Sequence, residues 1–167
     1  MKFYRVLALG AMAILVGGST LGAQSHRERG FSDAVLNGCY GAREQGDGAV
    51  AAGLGVVCYD GAGNTTRSLR VNAPDGAGGR RILTFTSEGE YEVHPDGTAT
   101  ATYTNIISEG ESTTTTFDLV ILGVAPSWTP GRGPRQIATE LFAAQREAGV
   151  TVSLVTSIQK RIGSVVE

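Results

Sequence analysis

The sequence predicts an all-β protein: a single antiparallel up-and-down barrel of about 8 strands. Three observations predict it. From residue 36 onward, short runs rich in Thr, Val, Ile and Tyr alternate with turns built from Gly, Pro, Asp and Asn. That is the strand signature, and its regular recurrence is the mark of a sandwich or barrel. Glycine occupies 24 of 167 positions, and each would cost a helix interior about 1 kcal/mol. The hairpin around Asp96-Gly97 also sorts its side chains cleanly. With the turn centred there, Glu92 faces Thr100, Glu90 faces Thr102 and Glu88 faces Thr104, while Tyr91, Val93, Ala99, Ala101 and Tyr103 share the other face. A slip of one residue would scramble both faces, so the pattern fixes the register.

The chain opens with Lys2 and Arg5, then the unbroken apolar run 6–18, then small residues around Ala23. Basic, apolar and small segments in that order predict a cleavable secretory signal peptide, residues 1–23. The apolar run is shorter than the roughly 20 residues a membrane-spanning helix needs. No cysteine follows it, so no lipid anchor is expected, and its shortness leaves no membrane span expected after processing. Residues 24–35 are polar and read as a loose or briefly helical lead-in. The barrel domain is expected over 36–163, a length that suits one domain.

Within that domain the expected strands and turns follow in order. "NGCYGARE" turns at "QGDG", "AVAAGLGVVCYD" at "GAGN", and "TTRSLRVN" at "APDGAGG". "RRILTFTSEGEYEVH" turns at "PDG" and "TATATYTNII" at "SEGE". "STTTTFDLVILGV" leads into "APSWTPGRGP", too rich in Pro and Gly for a strand and read as a long loop. "RQIATELFA" and "VTVSLVTSIQKRI" close the chain. Residues 137–149 hold fair helix formers, so strand and helix both stay open there.

Four Asp-Gly steps, at Asp47, Asp60, Asp75 and Asp96, raise the question of calcium. An EF-hand needs further oxygens at fixed places and a Glu at the twelfth position. Counting from Asp60, the third and twelfth places are Ala62 and Val71. The steps are therefore read as tight turns, in which Gly takes positive φ and Asp bonds its own backbone. No metal and no cofactor are expected.

After loss of residues 1–23 the chain carries 12 basic and 16 acidic side chains, a net charge of −4. Arg80-Arg81 and Lys160-Arg161 are its adjacent basic pairs, too little for a nucleic-acid partner, which needs clustered cations against phosphates. Cys39 and Cys58 are the only cysteines. They lie symmetrically about the "QGDGAV" turn, so paired strands set them opposite one another, and an oxidising compartment makes them a disulfide. A catalytic thiol would need a base beside it, and only His26 and His94 exist.

Three pieces, "LNGCYG", "GVVCYDGAGN" and "GEYEVHPDGTATAT", resemble a largely uncharacterised family of small exported bacterial proteins. The resemblance spans roughly residues 36–160. It implies a closed barrel similar in shape to allene oxide cyclase barrels and to lipocalin-like calycins, and it carries over no active-site residue. Where such proteins often have Thr in "NGTY" and "TFDG", this chain has Cys39 and Cys58, which suits a cross-strand disulfide on the face opposite Tyr40 and Tyr59.

Candidate chemistry is sparse. Glu88, Glu90, Glu92 and His94 share a face, which reads as a solvated sheet surface. No Gly-x-Ser-x-Gly elbow is present. Tyr40, Tyr59, Tyr91 and Tyr103 are the expected barrel lining. Trp128 is expected at the rim, over a ligand or closing the barrel end. Two functions fit: a non-enzymatic binding or surface protein, with a small apolar ligand as the partner such a barrel can hold, or a cofactor-free cyclase or isomerase. A cavity of several hundred Å³ lined by those tyrosines, with a buried carboxylate, favours the enzyme; a filled interior favours an interaction role.

Overall fold

The computed structural model describes residues 30–46, 51–107, 110, 112–129, 133–147 and 154–163. The expected signal segment and the Asp47-Gly48 turn lie outside these. After a short 3-10 turn at Asp33–Val35 come eight strands: β1 Asn37–Gly46, β2 Ala52–Asp60, β3 Asn64–Pro74, β4 Arg80–Val93, β5 Thr98–Ile107, β6 Ser112–Thr129, β7 Gly133–Gln145 and β8 Val155–Gly163. Each pairs antiparallel with the next, and β8 returns to β1, closing the barrel. Closure leaves no sheet edge around most of the circumference.

Local chemistry explains the corners. Gly61, Gly76 and Gly97 take φ of 79°, 79° and 88°, a region that costs other residues about 1–2 kcal/mol. Each preceding Asp closes its own turn. The Asp60 carboxylate accepts from the backbone N–H of Ala62 and Asn64 at 2.7 and 3.0 Å. Asp75 accepts from Ala77 and Gly79, and Asp96 from Thr98.

The predicted register holds: Glu92, Glu90 and Glu88 oppose Thr100, Thr102 and Thr104. Cys39 opposes Cys58, and a disulfide joins them across a Cα–Cα distance of 4.0 Å.

The loop expectation needs correction: residues 125–129 are the end of β6. Residues 137–145, where strand and helix both fit the sequence, are strand. The reason is pairing. β5 leaves β6 at Val120, and β8 leaves β7 at Glu140. Beyond those points β6 and β7 pair only with each other, out to Thr129 and Gly133. Pro126 therefore sits on a strand with one free side, where a missing N–H breaks no ladder. Trp128 rides on this two-stranded arm, 70% exposed, and covers no barrel end. That end, where both termini of the barrel lie, is plugged instead by Val35 and Leu36, with Phe31 packed against them and Ile137 and Ala138 buried at the base of the arm.

Candidate functional site

Alternation sends every second residue of each strand inward, and the interior divides into two halves. At the plugged end, Tyr40, Tyr59 and Tyr91 stack edge to face, with centroid separations of 5.6 and 5.1 Å. All four expected lining tyrosines are indeed buried. Each hydroxyl is bonded to protein. Tyr40 donates to the Ala138 carbonyl at 2.8 Å, Tyr59 to Gln159 Oε1 at 3.0 Å and Tyr91 to the Leu36 carbonyl at 2.9 Å. Tyr103 lies 3.5 Å from the Tyr59 hydroxyl and 3.4 Å from that of Thr65. Burial pushes the Tyr40 phenol up to about 12, against a lowering pull from Arg161, and raises Tyr59, Tyr91 and Tyr103 as well. These are neutral core side chains whose polar tips are already spoken for.

The other half holds what sequence reasoning missed. Glu44 on β1, Arg67 on β3 and Asn105 on β5 all point inward and are buried. Arg67 Nη1 donates to Glu44 Oε1 at 3.3 Å, and Nη2 to Asn105 Oδ1 at 2.7 Å. Asn105 also accepts from Ser87 at 2.6 Å and donates to Thr115 at 3.0 Å. The guanidinium carbon lies 4.4 and 5.1 Å from the Tyr103 and Phe117 ring centres, a cation between two aromatic faces. Burial raises the Glu44 carboxyl, and Arg67 lowers it, burial being the larger effect. Beside this network is a cavity of about 50 Å³ whose apolar wall includes Leu69, Val71, Phe85 and Phe117. The signal was there to find: extending the inward phase of Tyr40 and Tyr103 by whole periods of two reaches Glu44 and Asn105, and Leu69 leads back to Arg67.

The outer surface also divides in two. On β3–β5 the outward residues are Thr66, Ser68 and Arg70, then Glu88, Glu90 and Glu92, then Thr100, Thr102 and Thr104. The glutamates are exposed, as expected, and among the described residues no three metal-binding side chains converge. On β6–β7–β8–β1–β2 the cross-strand row reads Val120, Phe142, Ile158, Arg43, Leu54. Leu122, Val124, Ile162 and Val56 extend it, all exposed.

Comparison with protein-family models, with curated proteins and with solved structures found no match. The likeness to exported barrel proteins therefore stands on the three quoted motifs alone. The disulfide is compatible with an oxidising, exported environment.

Proposed function

We propose that this is an exported, non-enzymatic interaction protein whose working surface is the outer wall formed by β6, β7, β8, β1 and β2. One observation carries the reading: exposed large apolar side chains gather on that wall, while among the described residues the opposite wall has only Ile82 and Ile106, at the end away from Val35 and Leu36. Contiguous apolar surface on a soluble barrel marks a contact site. The basic–apolar–small start of the chain and the disulfide support export. The cyclase or isomerase alternative asks for several hundred Å³ beside the tyrosines. The cavity described above is about 50 Å³ and has none of those four tyrosines in its described wall, which favours the interaction reading.

The occupant we assign is a second copy of the chain. Glu140 and Lys160 lie side by side on the wall, 3.7 Å apart and both solvent-accessible. A two-fold axis through such a pair sets each charge against its complement, as an isologous interface requires. The wall spans four strand gaps of about 4.8 Å and about six residues of rise, or about 400 Å². That is about half of what one partner buries in a standard interface, so the dimer is weak. Sedimentation equilibrium tests this. The wild type should dimerise with a Kd in the micromolar range or weaker. Leu122→Glu and Ile158→Glu should each weaken it at least tenfold, and Thr102→Glu on the opposite wall should not. A wild type that stays monomeric at millimolar concentration, or a Thr102→Glu effect equal to the others, overturns the reading.

A further inference from the structure

We propose that the cavity in the half of the barrel away from the tyrosine layer is a binding site for a short monocarboxylate, held by the Arg67 guanidinium beside Glu44. This inference is independent of the outer wall.

The charge pair is poorly completed as a structural ion pair. A charge-assisted N–H···O bond is usually about 2.7–2.9 Å and, for Arg and a carboxylate, often two-pronged. Arg67 and Glu44 make a single contact at 3.3 Å. A guanidinium has five N–H donors. Arg67 commits one to Glu44 and one to Asn105, and Nε has no hydrogen-bond partner. A buried pair in this form is commonly no better than apolar packing. A second carboxylate would complete the guanidinium, whose planar fork matches carboxylate geometry. With burial favouring its neutral form, Glu44 can donate its O–H to the incoming anion instead of repelling it.

Size and lining choose the class. At about 10–15 Å³ for each water-sized volume, 50 Å³ admits three to five heavy atoms. Acetate has four and propionate five. The carboxylate would meet Arg67, and the methyl or ethyl tail would meet Leu69, Val71 and Phe117. A sugar, a nucleotide or a fatty acid exceeds the volume.

The test is a titration of the purified mature protein with acetate, propionate and butyrate, followed by two-dimensional NMR. Sodium chloride at equal ionic strength is the control. Acetate or propionate should shift the Arg67 Nε–H and Asn105 side-chain amide resonances saturably, at least tenfold tighter than chloride, with butyrate weaker than propionate. Ala51→Leu places a larger apolar side chain in the cavity wall without touching the charge pair. It should fold and lose the response. Shifts that follow ionic strength alone, or a response that survives in Ala51→Leu, would overturn the proposal. Arg67→Met should also lose the response, but the wild-type titration and Ala51→Leu decide the matter even if that variant fails to fold.

Discussion

Replacing Tyr59 by Phe tests whether the tyrosine layer is framework. Tyr59 is fully buried, and its hydroxyl donates to Gln159 Oε1 at 3.0 Å, an acceptor that is itself buried. The substitution keeps the ring and its edge-to-face contacts with Tyr40 and Tyr91. It removes one donor and leaves a carbonyl oxygen dry, which costs about 1–3 kcal/mol. With a urea slope of about 2 kcal/mol per molar, the unfolding midpoint should fall by about 0.5–1.5 M. Tyr59→Leu also loses two aromatic pairs and leaves a void, for a total of about 3–5 kcal/mol. Adding Gln159→Leu to Tyr59→Phe removes the orphaned acceptor and should recover part of the loss, a coupling that a double-mutant cycle reads directly. If Tyr59→Phe were as stable as wild type within about 0.3 kcal/mol, the hydroxyl would not be holding Gln159. The phenol would then be free for a ligand, contrary to the account.

Cys39→Ser with Cys58→Ser opens a loop of sequence separation 19 and should cost about 3 kcal/mol, measurable as an equal drop under reducing agent in the wild type alone. The folded-state pKa of Glu44 is raised, so its contribution is fully present below the unfolded value and is lost as pH rises through the folded one. Among the described residues, Arg67 is the charged group hydrogen-bonded to it. Glu44→Gln should therefore lose less stability than wild type as pH rises from about 4.5 toward 7 in a pH series of urea melts. Gly97 has φ of 88°, and a Cβ there would lie 3.1 Å from the Phe31 ring. Gly97→Ala should cost about 1–2 kcal/mol, seen as a lower melting temperature.

Much of the barrel was readable because two-residue periodicity and turn chemistry are local. The β4–β5 register followed from which side chains tolerate water, and the Cys39–Cys58 pairing from distance to one turn. The β6–β7 arm was not readable. "APSWTPGRGP" carries strong turn residues, and only the early departure of β5 and β8 makes a strand with Pro126 acceptable there. Arg67 and Glu44 are charged and by residue type favour an outward position, whereas the strand phase turns them inward. Their meeting depends on the closed barrel, since the partners come from β1, β3 and β5. The division of the outer surface was likewise invisible strand by strand. It emerges only when β6, β7, β8, β1 and β2 are set side by side.

The claim that function lies on the outer wall is tested most directly by solvent paramagnetic relaxation on methyl-labelled protein at low and high concentration. The account predicts that Val120, Leu122, Ile158 and Leu54 lose solvent relaxation as concentration rises, while Thr100, Thr102 and Thr104 keep theirs. Equal relaxation of both walls at every concentration would contradict it.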